Sequence, residues 1–197
     1  LMQPGDATDP LLRQVLPLAD EDLSVPGYGK DPVGDGNAGL GHGVLRKYHG
    51  RALLITTGAC AIHCRYCFRR HYPYSDEALA HQSLAPTLQR LRTATDLNEV
   101  ILSGGDPWSL SDARFARLVQ EIEQLQAIKR LRIHTRLPVV LPSRITGALL
   151  DILLKTRLQV VLVLHLNHPN ELHPDLVQAL EPLRSSQITL LNQAVLL

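Results

Sequence analysis

Cys60, Cys64 and Cys67 are the only cysteines in the 197-residue chain, and they fall within eight residues as C-x3-C-x2-C. An odd, tightly clustered set cannot form a disulfide framework without leaving a free thiol, and neighbours this close make poor staples. Metal or redox chemistry is the stronger reading. Three thiolates would hold three irons of a 4Fe-4S cluster and, with no fourth cysteine, leave one iron open to an outside ligand, which suits catalysis better than electron storage. Adding His71 gives C-x3-C-x2-C-x3-H, a spacing acceptable for tetrahedral structural zinc. Spacing alone leaves both metals open, whereas three unliganded buried cysteines would have no reason to cluster this way.

Other groups could serve a ligand near the cysteines. Ser103-Gly104-Gly105-Asp106-Pro107 pairs glycines, which let backbone approach a ligand closely, with carbonyls and a carboxylate that would welcome an ammonium group; the same run also makes an ordinary turn. Arg69 and Arg70 follow the cysteines, and a guanidinium there is a bidentate carboxylate clamp or one of a solvated pair. Lys47 and Arg51 could hold a phosphate or simply be solvated. His165 is a candidate ligand or a satisfied core histidine. Arg132 and Arg144 read as surface residues.

Parallel strands would position these groups. Residues 1–50 carry nine of the 13 glycines and five of the 13 prolines and should be mostly loop. From Arg51 onward, β-branched and Leu-rich runs alternate with helical patterns, the signature of βαβ units. Strands are expected near 52–57, 99–103, 130–135, 159–165 and 187–192. Phe115, Leu118, Val119, Ile122 and Leu125 follow helical spacing, with Ser109 or Ser111 as cap. A second helix begins near Thr146. A third over 174–184 starts on Pro174 and aligns Leu176, Val177, Leu180 and Leu183. The cysteines, Ser103–Pro107, Arg136, His165 and Asn192-Gln193 then sit at carboxyl ends of strands, the face on which parallel α/β sheets bind ligands.

The balance of 20 Lys+Arg against 19 Asp+Glu gives a formal net charge of +1 and no electrostatic case for nucleic acid or an anionic membrane as partner. No apolar run approaches the roughly 20 residues of a transmembrane helix, and Leu1–Asp9 does not look like a leader, so cytoplasm is the default compartment. The stop at Ala194-Val195-Leu196-Leu197, on an apolar strand without a covering helix, reads as a fragment.

Assembled, these stretches resemble the radical S-adenosylmethionine enzymes of the lysine 2,3-aminomutase family. The likeness runs through Lys47–Arg51, the cysteine motif continued as Phe68-Arg-Arg-His-Tyr-Pro-Tyr74, Ser103–Pro107, Arg132–Pro142, His165–Glu171 and Leu190–Leu197. Cys64-Arg-Tyr-Cys-Phe-Arg-Arg-His-Tyr-Pro-Tyr74 is most similar to the branch that makes (R)-β-lysine for modifying elongation factor P. The resemblance implies an α/β fold, a parallel-stranded partial (βα) barrel cut short at its C-terminal side, with 1–50 packed on it and 51–197 as an incomplete core. It implies Cys60, Cys64 and Cys67 on a 4Fe-4S cluster rather than on zinc, and Gly104, Gly105 and Asp106 along S-adenosylmethionine, with Gln193 near its adenosyl group. It places Arg69 on the substrate carboxylate, and Arg51 and His165 near pyridoxal phosphate. The implied reaction is lysine 2,3-amino migration, started by a 5′-deoxyadenosyl radical that takes hydrogen from C3 of lysine. A small-molecule substrate and an external electron donor follow as partners, and a homo-oligomer is compatible. The family's pyridoxal lysine has no match among Lys30, Lys47, Lys129 and Lys155, so turnover is expected only of a longer protein.

Overall fold

The computed structural model describes residues 1–41, 43–74, 78–79 and 84–195. Six strands form one sheet in chain order: β1 (Val44–Leu45), β2 (Arg51–Thr57), β3 (Glu99–Gly104), β4 (Arg130–Thr135), β5 (Gln159–His165) and β6 (Thr189–Gln193). β2 to β6 run parallel, and β1 adds an antiparallel edge to β2. The five parallel strands lie within two residues of their sequence expectation.

Period-two alternation builds the core. The register places Leu54, Leu102, Ile133 and Leu162 in one row across four strands, each 0% exposed. Ala52, Val100, Leu131, Val160 and Leu164 flank that row on the same face, in one apolar cluster with the helices. Burying each such aliphatic side chain contributes about 1.5–3 kcal/mol, so this layer holds the sheet to its helical cover. Helices α1 (Leu84–Thr93), α2 (Asp112–Glu123), α4 (Gly147–Lys155) and α5 (Pro174–Arg184) supply that cover, and α3 (Leu137–Val140) is a single turn after β4.

The helix signals act as local chemistry predicts. Ser111 Oγ accepts from Arg114 N at 3.4 Å to cap α2, whose Phe115, Leu118, Val119 and Ile122 are buried. Thr146 Oγ1 caps α4 through Leu149 N at 3.1 Å. On α5, Leu176 and Leu183 are buried, but Val177 is 54% exposed because the helix is seated on a narrower stripe than four apolar residues suggest. β1 and α1 have no counterpart in the sequence reading. β1 is a two-residue strand created by its pairing with β2, and α1 carries Pro86 in its first turn and buries only Thr87, Leu88 and Leu91.

Residues 1–41 contain turns and three 3-10 turns, Leu12–Gln14, Ala19–Asp22 and Asp35–Asn37. They nevertheless send polar anchors inward, with Asp9, Gln14 and Asp35 all buried. Asp9 accepts from Gln3 N, Leu11 N and Leu12 N, and those backbone hydrogen bonds hold its carboxyl below the usual range. Arg132 and Arg144 depart from the surface reading. Arg132 Nε meets Glu99 Oε1 at 2.5 Å, while Arg144 donates to Trp108 O and Leu110 O and pairs with Asp112, so partners on neighbouring elements draw both stems into the fold. No helix among the described residues is long and apolar enough to cross a membrane.

Candidate functional site

Side chains of the parallel strands that point away from the helices, with the loops after those strands, enclose a cavity of about 430 Å³. Cys60, Cys64, Cys67, Arg69, Gly104, Gly105, Asp106, Arg51, His165 and Gln193 all line it, so the residues to which the family resemblance gives a role meet around one space. Asn192 does not. Its side-chain amide exchanges two hydrogen bonds with the backbone of Leu166, fastening β6 to the loop after β5.

The cysteine loop leaves β2 directly and is pinned by the turn after β3. Gly105 N donates to Thr57 O at 2.7 Å and Asp106 N to Ala59 O at 2.8 Å. The paired glycines permit this approach: a Cβ on Gly105 would lie 2.4 Å from Ala59 O, and Gly104 sits at φ +107° with its Cβ position 3.0 Å from Thr57 O. The closest backbone they accommodate is thus the cysteine loop itself. Arg65 N donates to Gln14 O at 2.8 Å, which ties the far side of that loop to the N-terminal segment.

His71 is exposed and lies outside the cavity lining. Among the described residues, no three His, Cys, Asp or Glu side chains converge on a point where one ion would sit. Tetrahedral zinc needs four ligands at about 2.0–2.3 Å from one centre, so this geometry does not support the Cys3His module. A four-iron cluster is a larger body that takes each thiolate on a different iron, and three thiols spaced around one cavity fit it.

Asp106 has a different occupation from the one its sequence suggests. Its carboxylate accepts from Trp108 N at 3.0 Å, Thr135 Oγ1 at 2.6 Å, and Arg136 N and Leu137 N at 2.8 Å each. Four donors occupy the lone pairs that an ammonium group would need, so the side chain is a clamp between the ends of β3 and β4. The clamp aims Arg136, which is 7% exposed. Its Nη2 donates to Gln14 Oε1 at 2.6 Å and Glu171 Oε1 at 2.9 Å, and its Nη1 to Tyr66 Oη at 2.5 Å and Cys64 Sγ at 3.0 Å. Asn167 joins the same network by donating to Gln14 Oε1 at 2.8 Å and to Tyr66 Oη.

A second guanidinium, Arg69, is also buried at the cavity wall. Its Nε donates to Asp35 Oδ2 at 2.7 Å and its Nη1 to Ser103 Oγ at 3.1 Å. Asp35 also forms an ion pair with Lys47, which faces the same space. Arg51 lies toward the amino end, where its Nε is 3.4 Å from Glu99 Oε2. His134 Nδ1 and His165 Nε2 are 3.2 Å apart on the lining. Burial, followed by the neighbouring His165 and arginine charges, pushes His134 down to about 4; burial likewise lowers His165. Both rings are neutral near pH 7.

Sequence reasoning missed Asp35, Tyr66, His134 and Asn167 on this wall, and Gln14 and Glu171 as the partners that hold Arg136. His134 carried a usable signal, because it alternates with Arg132 on the same side of β4 and opens the strand-end pattern that contains Arg136. Tyr66 and Asn167 lie inside motifs already singled out. Nothing local marks Gln14 or Asp35, whose roles arise from loop packing.

Comparison with known proteins places this geometry. The sequence profile of the Radical SAM superfamily matches residues 54–185. The chain is 45% identical over 196 residues to an L-lysine 2,3-aminomutase of Escherichia coli (strain K12), covering 100% of this chain and 57% of that protein. It is 42% identical over 196 residues to the L-lysine 2,3-aminomutase of Haemophilus influenzae, covering 100% of this chain and 58% of the relative. Identity to the enzyme of Clostridium subterminale is 32% over 198 residues, covering 100% of this chain and 47% of that protein. The chain therefore spans somewhat over half the length of the more similar of these relatives.

Proposed function

The chain belongs to the radical SAM superfamily, and from that premise we propose that it is the cluster-bearing part of an L-lysine 2,3-aminomutase that converts L-α-lysine to (R)-β-lysine. The observation that carries the reading is the convergence of three thiols, Arg69, the glycine-rich turn and the histidine pair on one cavity. The run Cys64-Arg-Tyr-Cys-Phe-Arg-Arg-His-Tyr-Pro-Tyr74 supports the branch whose β-lysine modifies elongation factor P.

In this reading Cys60, Cys64 and Cys67 hold the 4Fe-4S cluster, and the backbone at Gly104 and Gly105 lies along S-adenosylmethionine, with Gln193 at its adenosyl end. When bound, the cluster and S-adenosylmethionine supply a hydrogen-abstracting radical, and pyridoxal phosphate supplies the electronic route for amine migration. The protein's own residues position and insulate. Arg69 is held by Asp35 and Ser103 with donors left over, and it presents a guanidinium edge to the substrate carboxylate. Arg51 and Lys47 offer positive charge to a phosphate, with His165 beside it. The neutral His134–His165 pair adds no charge to repel the substrate's ammonium groups. Asp106 acts indirectly, by fixing the wall against which the cofactor lies.

The test uses the full-length protein, reconstituted anaerobically with iron and sulfide and given S-adenosylmethionine, pyridoxal phosphate, reductant and L-lysine. β-Lysine should accumulate, and Cys64→Ala should abolish both its formation and the reduced-cluster paramagnetic signal. A fully loaded wild-type protein that cleaves S-adenosylmethionine without rearranging lysine would assign the site to another amino acid substrate.

A further inference from the structure

We infer that Arg136 sets the reduction potential of the iron–sulfur cluster by donating a charged hydrogen bond to the sulfur of Cys64; the inference rests on the cluster reading above. The contact is built into the fold. Asp106 Oδ2 fixes the backbone at Arg136 N and Leu137 N, both at 2.8 Å. Gln14 and Glu171 engage Nη2 at 2.6 and 2.9 Å, which leaves Nη1 directed at Cys64 Sγ, 3.0 Å away. A guanidinium free to rotate would not keep such an aim; this one is buried and held on two sides.

The electrostatic consequence has a definite sign. Reduction adds a negative charge to the cluster and its thiolates, so a cation donating to one of those sulfurs stabilises the reduced form more than the oxidised form and raises the potential. Tyr66 belongs to the same network, its hydroxyl oxygen accepting from both Arg136 and Asn167. Glu171 opposes the arginine, because a carboxylate 2.9 Å from the guanidinium cancels part of the charge that Cys64 feels. The arginine and the glutamate therefore act on the cluster in opposite directions, whereas a scaffold role would require only that both be present.

The experiment is a redox titration of the reconstituted full-length protein, followed by the paramagnetic signal of the reduced cluster without S-adenosylmethionine, with iron content measured on each sample. Arg136→Gln should move the midpoint to more negative potential. Glu171→Gln, which keeps an amide acceptor for the nearby backbone, should move it to more positive potential. Opposite shifts at equal iron content establish the inference. Should Arg136→Gln fail to fold or lose the cluster, the sign of the Glu171→Gln shift decides. Midpoints unchanged from wild type, or a negative shift in Glu171→Gln, overturn it while the cluster reading stands. A wild-type protein that takes up no four-iron cluster overturns both.

Discussion

Two ion networks lie on the cavity side of the sheet, one at the amino end of the strands and one at the carboxyl end, and they are built as opposites. At the amino end a single carboxylate, Glu99, is 1% exposed and faces three guanidinium groups, those of Arg132, Arg130 and Arg51 at 2.5, 3.2 and 3.4 Å. Burial alone would raise the Glu99 carboxyl, but hydrogen bonds and charges from Arg132, Arg130 and Arg51 outweigh it and hold the group below its usual range. At the carboxyl end a single guanidinium, Arg136, faces one carboxylate, an amide oxygen, a phenol and a thiol. The first network concentrates charge on its own partners and joins adjacent strands. The second spends one donor on the thiol of Cys64. Similar residue types thus support a scaffold in one place and a site in the other, and the difference lies in what the last hydrogen bond reaches.

Substitutions separate the two. Glu99→Ala should produce the largest loss of stability, about 3 kcal/mol in chemical denaturation; this is the low end of the cost of breaking a buried ion pair, because the arginines can swing toward solvent. Its cluster potential, per iron bound, should stay at the wild-type value; a shift comparable to that of Arg136→Gln would erase the distinction between the ends. Asp106→Asn leaves one side-chain acceptor where two oxygens served four donors, and should cost about 1–3 kcal/mol while loosening Arg136. Broadened cluster spectra together with the stability loss would tie the clamp to the site, and stability loss alone would make it a strand connector. The last effect is absent at neutral pH and appears only in acid. His134 has a folded-state value near 4 against an ordinary 6.5, so the unfolded chain binds the proton first as pH falls. Stability should decline from about pH 6.5 toward pH 4, and His134→Gln should flatten that part of the profile. An unchanged slope in the variant would show that another group carries it.

Much of the fold was legible because its rules are local. Leu54, Leu102, Ile133 and Leu162 announce buried strands by alternation, and Ser111, Thr146 and Pro174 announce helix starts. β1 and α1 were illegible for the complementary reason, since a two-residue strand and a helix with Pro86 in its first turn depend on what they pack against. In the site, the cysteines and Gly104-Gly105 were visible as motifs. The true occupation of Asp106 was not, because three of its four donors belong to Thr135, Arg136 and Leu137, about thirty residues away.

The amino-acid sequence by itself determined the thiol set, the parallel order of strands and the end of the sheet at which polar groups collect, since spacing and periodicity act over a few residues. Only the tertiary structure decided that Arg136 rather than Arg70 reaches the thiol of Cys64. Arg70 pairs with Glu21 at the surface, whereas Arg136 is aimed by Asp106, Gln14 and Glu171, which lie up to 122 residues from it in the chain. A hydrogen bond takes its direction from the positions of both partners, and positions that distant are fixed only once the chain has folded.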